Sequence, residues 1–210
     1  MKIVVFGATG RTGLPLIQQA LDAGHQVVGF VRSPDKMTLS HEHLTLVQGD
    51  IMRAEDVAQA ITADVDGVIS TLGPTNSSPD DMMPVAAGNI IQAMQQQGVA
   101  RLIWMTGAGV DMPQDQPKLI NHLIKFALMT LAAKVQKQST AAVRAVEASG
   151  LAWTVVRVPM LTDEPHSGNY RVGWVGVNTG PRLGRADAAD FLLGQVGDTT
   201  YLHQAPVISN

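Results

Sequence analysis

The chain contains no cysteine, which excludes disulfides, thiol nucleophiles and cysteine-held metals together. Charge is sparse as well. Asp, Glu, Lys and Arg make up 16% of the 210 residues, and the net charge is −3 with the signs mixed along the chain. That balance offers neither the basic footprint of a nucleic-acid binder nor a polybasic membrane anchor. A long leading apolar stretch is missing, because MKIVVFGATG opens on a short strand-like run with no cleavage signal, and a cytoplasmic location is the expectation. Repeats, low-complexity tracts and domain-dividing linkers are absent too. What remains is 45% apolar, enough for one domain, 1–210, with a substantial core.

The most informative segment is Gly7-Ala8-Thr9-Gly10-Arg11-Thr12-Gly13. It follows the apolar run Ile3-Val4-Val5-Phe6 and leads into a helical pattern at Leu14, Leu16, Ile17, Ala20 and Leu21. Strand, glycine turn and helix in this order suit a dinucleotide pyrophosphate. Glycines let the backbone turn sharply near the phosphates, and the helix N-terminus offers unpaired N–H groups and a partial positive charge.

Strand and helix patterns alternate along the rest of the chain. Apolar, β-rich runs fall at 2–6, 26–31, 44–48, 67–71, 101–106 and 153–158, with helical stretches at 12–23, 54–62, 82–97, 118–149 and 186–195. Runs apolar on both faces belong to a parallel sheet covered on each side. The expected fold is therefore α/β, a single Rossmann-type, doubly wound parallel sheet flanked by helices. Gly24, Gly98 and Gly150 sit where helices should end. The Gly-, Pro- and Asn-rich stretch 163–185 reads as a small C-terminal substrate loop with a short strand near 170–175. Substrate or lid elements are expected around 112–135 and 160–185.

The end of the second strand speaks to the cofactor. An NAD site usually places an acid there for the ribose hydroxyls. This chain has Arg32, with Ser33 beside it and Lys36 a turn later, and such cations suit the 2′-phosphate of NADP. NADP(H) is thus expected over NAD(H). After the third strand, Asp50 and Ile51 read either as an adenine contact or as a turn. Thr71, Leu72 and Gly73 follow the fourth strand, where a glycine lets the chain pass close to the ribose and pyrophosphate. Met105, Thr106 and Gly107 end the fifth strand beside the expected nicotinamide ribose. Pro159, Met160 and Leu161 end the sixth and should line the nicotinamide pocket.

With these segments placed, the chain resembles the atypical short-chain dehydrogenase/reductase family of NAD(P)H-binding proteins, and within it the biliverdin-IXβ reductase/flavin reductase group. The likeness rests on FGATGRTG at 6–13, FVRSPDK at 30–36, GD at 49–50, STLGP at 70–74, AAGNIIQAM at 86–94, ASGLAWTVVRVPMLTDEP at 148–165 and SGNYRV at 167–172. The resemblance implies an NADP-binding reductase that passes hydride to flavins or linear tetrapyrroles. It also implies NADP contacts at Gly7, Thr9, Gly10, Arg11, Thr12, Arg32, Lys36, Asp50, Ile51, Leu72, Gly73, Thr106, Pro159 and Leu161.

Three departures from the family pattern bear on chemistry. Gly107 stands where the group carries a serine, and Met160 where it carries a histidine. The Tyr-x-x-x-Lys pair is absent, because neither Tyr170 nor Tyr201 has a lysine four residues on. Thr106 is the nearest remaining hydroxyl and the catalytic candidate at the strand ends, able to hydrogen-bond the nicotinamide amide or a substrate carbonyl. Ketone reduction needs a proton delivered to a developing alkoxide, and losing a general acid costs on the order of a hundredfold. Flavin reduction needs mainly the stacking of two rings. A small aromatic acceptor is therefore expected, with FMN or FAD as a substrate and a quinone or tetrapyrrole as other options. The alternative is a non-catalytic NADP(H)-binding redox sensor or regulatory protein.

Other features read more plainly. The apolar stretch 118–134 suggests a lid over the acceptor, a buried helix or a dimer contact, in a monomer or weak homodimer. His122 and Lys125 within it argue against a membrane span. His41 and His43 form the only close histidine pair and no metal site is expected. Met83 and Met160 could face a flat aromatic ligand, His166 on the substrate loop could donate a proton, and Lys134 and Lys137 read as a charged helix face.

Overall fold

The computed structural model describes residues 1–75, 78–118 and 133–210. Its central sheet has eight strands in the order β3-β2-β1-β4-β5-β6-β10-β8. They are β1 (Lys2–Phe6), β2 (Gln26–Val31), β3 (Leu44–Gln48), β4 (Gly67–Ser70), β5 (Arg101–Gly107), β6 (Ala152–Val158), β8 (Arg171–Gly173) and β10 (Val207–Ser209). Every neighbouring pair is parallel except β10 and β8, so the doubly wound sheet carries one antiparallel edge. A separate parallel pair joins β7 (Met160–Thr162) to β9 (Arg182–Gly184). The helices are α1 (Gly13–Asp22), α2 (Ala54–Ala58), α3 (Met82–Gln97), α4 (Ala133–Glu147) and α5 (Arg185–Gly194).

The apolar runs explain the layers. Within β1, Val4 and Phe6 enter one core, with α3 and α4, while Ile3 and Val5 enter the other, with α1 and α5. A strand buried on both faces needs cover on both, and helices provide it. Gly24, Gly98 and Gly150 adopt φ of 77°, 72° and 71°, the left-handed conformation that ends a helix at low cost in glycine.

Several expectations change. The helix expected over 54–62 stops at Ala58, where Gln59 and Ala60 switch to bonds three residues back. Thr62 is then held by the Lys2 ammonium at 3.1 Å. Of the long helical stretch expected over 118–149, residues 119–132 lie outside the described residues, and 133–147 is helical as expected. The lid reading, with His122 and Lys125, lies outside the described residues. The strand near 170–175 is β8 with a tight bridge from Trp174 to Val177 behind it. Strands β7, β9 and β10 were not anticipated.

Two acids hold the C-terminal half together. The Arg157 guanidinium has no solvent exposure. Asp115 accepts from both its terminal nitrogens at 2.7 Å, and the Val110 and Ala205 carbonyls take its remaining bonds. Asp115 also accepts from the amides of Met112 and Val175, and the Arg157 guanidinium lies 5.8 Å from the centre of the Trp174 ring. One ion pair thus fastens the segment after β5 to β6, to the approach to β10 and to the turn after β8. Asp187, 1% exposed, accepts from Ser167, Gly168 and Asn210 at 2.8–3.0 Å and folds the 163–170 loop onto α5. Burial acts to raise both carboxyls. Arg157 and two amides outweigh it at Asp115, and Asn210, Ser167 and Gly168 outweigh it at Asp187, so both sit below the ordinary carboxylate value.

Asp115→Ala leaves a buried cation unpaired and is expected to cost about 3–5 kcal/mol, read from urea unfolding; a loss under about 1 kcal/mol would contradict this role. Because its pKa is depressed on folding, Asp187 contributes stability fully above the unfolded value near ~3.9, and this is lost as pH falls through the lower folded value. Asp187→Asn should therefore flatten the acid limb of a stability-against-pH curve measured below about pH 4.

Candidate cofactor cleft

Strand order reverses on either side of β1, with β2 to one side and β4 to the other. Crevices at the carboxyl ends of strands flanking such a reversal are where open α/β sheets bind ligands. The glycine turn lies there. Gly7 has φ of 84°, and a Cβ on it would sit 2.7 Å from the Thr71 hydroxyl oxygen. A Cβ on Gly13 would run into the Gly7 carbonyl oxygen, so α1 can begin this close to the turn only with glycine at that position. Thr12 precedes α1 without capping it through its side chain. The amides of Arg11, Thr12 and Gly13 find no acceptor among the described residues. Unpaired amides at a glycine-lined helix start fit a diphosphate, and the residues present fit a dinucleotide.

The remaining expected residues lie at the ends of the neighbouring strands. Arg32 and Lys36 are exposed at the end of β2 and in the single 3-10 turn Pro34–Lys36, with Ser33 between them. Neither cation pairs with an acid among the described residues, so both are free to meet a phosphate. Asp50 forms the turn that was one of its two readings: its carboxylate accepts from Met52 at 2.9 Å and its amide donates to Asp56. The Ile51 carbonyl accepts from Asn89. Thr9 and Gly10 complete the glycine turn, where the Gly10 amide donates to Gly7 at 2.9 Å.

Thr71 spends its hydroxyl on the turn itself, donating toward the Phe6 and Gly7 carbonyls at 3.2 and 3.3 Å. Leu72 packs against the core, and Gly73 borders open space where a side chain would otherwise stand. At the end of β5, Met105 is buried and Gly107 is exposed with nothing near its missing Cβ. The Thr106 hydroxyl is buried and has no hydrogen-bond partner among the described residues. A buried hydroxyl is rarely left so, and Thr106 stands in register with Arg157, so the rigid ion pair backs it. Pro159, Met160 and Leu161 are held by β9: the Met160 amide donates to Pro181, and Leu161 pairs with Leu183. The Met160 side chain is 57% exposed.

One side chain expected to face the ligand lies away from the site. Met83 is 1% exposed inside the core, because its turn of α3 faces the sheet, and its amide donates to Gln138. Tyr170 donates to Asp190 at 2.7 Å, and burial followed by that carboxylate pushes the phenol pKa upward, away from proton transfer near neutrality. His166 lies 3.8 Å from both Asp187 and Asp190. Lys134 pairs with Asp80 and Ser78, as a charged helix face would. The His41 and His43 rings lie 5.3 Å apart with their planes tilted by 50°, and the described residues hold no group of three metal-binding side chains. No described helix is long and apolar enough to cross a membrane. Sequence reasoning missed Asp163, whose carboxylate pairs with Arg11 on the glycine turn and with Arg185 at 2.6 Å. A lone acid in a loop carries no local signal of such partners.

Known proteins share this architecture. A chloroplastic protein of Arabidopsis thaliana is 30% identical over 179 residues, 80% of this chain and 62% of its own length, so the chain spans less than two thirds of that relative. The oxidoreductase ylbE of Lactococcus lactis superposes with a TM-score of 0.83 at 19% identity, covering 100% of this chain and 91% of that one. ChuY, an anaerobillin reductase of Escherichia coli O157:H7, superposes with a TM-score of 0.77 at 20% identity, covering 100% and 97%. A family model described as NAD(P)H-binding matches residues 7–199, and the chain belongs to that NAD(P)H-binding family.

Proposed function

We propose that the protein is an NADPH-dependent reductase that delivers hydride to a flat aromatic acceptor of the flavin type, with a quinone or tetrapyrrole as related substrates. The observation that carries this reading is the end of β5. There a buried Thr106 hydroxyl, unpartnered among the described residues, stands beside an exposed Gly107, and no titratable side chain takes the family's serine or histidine position. Such a site can orient a ring but has no protein acid in those positions, which suits an acceptor whose proton comes from water.

In this reading the amides of Arg11, Thr12 and Gly13 hold the diphosphate, and Arg32 with Lys36 meets the 2′-phosphate. Thr106 donates to the nicotinamide amide or to an acceptor carbonyl. The segment Pro159–Leu161, held by β9, forms the wall of the nicotinamide pocket, and exposed Met160 offers a soft surface to the acceptor. The cofactor supplies a hydride when bound, and with one solvent proton this converts oxidised flavin to dihydroflavin. ChuY, which shares the fold, is an anaerobillin reductase, and a reductase reading here is in keeping with it.

Purified protein with NADPH and FMN should consume NADPH well above the uncatalysed background, followed at the nicotinamide absorbance band. Tight NADPH binding with no turnover would replace this reading by a redox sensor, which the loss of side-chain function at Gly107 and Met160 also favours. Cofactor choice has its own test. Arg32→Glu should weaken NADPH about 10- to 100-fold and improve NADH, measured by calorimetry; unchanged NADPH affinity would refute the 2′-phosphate assignment.

A further inference from the structure

Two guanidinium groups converge on one exposed carboxylate at the mouth of the cleft. Arg11 extends from the glycine turn, Arg185 is the first residue of α5, and Asp163 follows directly after β7 and bonds to both. Arg185 is 15% exposed, whereas Arg11 and Asp163 are 69% and 60% exposed. The arrangement brings two cations from the starts of two neighbouring helices against a single anion, which leaves one positive charge uncompensated. It also lies next to the free amides of Arg11, Thr12 and Gly13.

Exposed ion pairs contribute little to stability, since water solvates both partners well when they separate. The Asp163 carboxylate is therefore exchangeable. A phosphomonoester offers one more terminal oxygen and more charge than a carboxylate, a diphosphate bridge offers two adjoining monoanionic groups, and guanidinium groups bind either through paired N–H bonds. We propose that Arg11 and Arg185 together form a phosphate-binding pair, and that Asp163 fills it in the ligand-free chain as an internal stand-in that the ligand displaces. The assignment extends the reductase reading above and rests on it for the identity of the ligand. The phosphate comes either from the dinucleotide or from a phosphorylated acceptor such as FMN.

The test titrates inorganic pyrophosphate and NADPH into wild-type protein, Arg185→Gln, Arg185→Lys and Asp163→Asn by calorimetry, with circular dichroism to check folding. Pyrophosphate affinity should fall about tenfold in Arg185→Gln, less in Arg185→Lys, and rise several-fold in Asp163→Asn. KM for FMN and for riboflavin is then compared in the same proteins. A parallel loss of NADPH affinity in Arg185→Gln assigns the phosphate to the dinucleotide. A rise of about tenfold in KM for FMN with riboflavin unchanged assigns it to the acceptor. Unaltered pyrophosphate affinity in Arg185→Gln, weaker binding in Asp163→Asn, or pyrophosphate loss with both NADPH and FMN unaffected would overturn the proposal. Failure of wild-type protein to bind NADPH would instead sink the reductase reading, while the pyrophosphate titrations would still report on the arginine pair.

Discussion

A cation with no access to solvent organises the half of the molecule where an acceptor would bind. Arg157 sits near the end of β6, and its charge is tolerable there only because Asp115 meets it in a two-pronged pair and two carbonyls take its other bonds. Buried pairs of this kind seldom add much net stability compared with apolar packing. Their effect is on geometry, because every alternative arrangement strands a charge. Four segments distant in sequence are thereby held to one position, and the end of β5, one register step away, inherits that rigidity.

The two halves of the cleft are built from different materials. On the side of β1 the binding surface is backbone: a glycine turn, a close carbonyl and amides left open at the start of α1. Side chains there would only obstruct. Toward β5 and β6 the surface is made by side chains that hydrogen bonds and the β7–β9 pair hold in place. A backbone cradle suits a ligand common to a large family, since amides recognise phosphate whatever the surrounding residues. The side-chain half can change from relative to relative without disturbing it. This is why family membership speaks clearly for a nicotinamide dinucleotide and only generally for the acceptor.

Charge placement follows the same division. Arg32 and Lys36 stand free in solvent at one end of the cleft, while Arg11 and Arg185 at the other are already engaged with Asp163. At the end of β5 Thr106 offers a neutral, buried hydroxyl, and the two tyrosines lie elsewhere, Tyr170 bound to Asp190 and Tyr201 packed against the core around α5.

How much of this could be read from the residues alone depends on distance along the chain. The bounds of β1, β2 and α3 agree with the apolar pattern because a strand or helix buried in this fold writes its periodicity into consecutive residues. Gly24, Gly98 and Gly150 were legible for the same reason, as was the glycine turn. Strands of three residues, β7, β9 and β10, carry too little pattern to be seen. The face of α3 that buries Met83 was likewise set by the sheet beneath it. Asp115 finds Arg157 across 42 positions and Asp163 finds Arg11 across 152. Sequence by itself thus determined the layered α/β fold and a phosphate cradle made of neighbouring residues. Only the tertiary structure decided which loop acids meet which arginines, because opposite charges find one another through space, with no signature in the order of the chain.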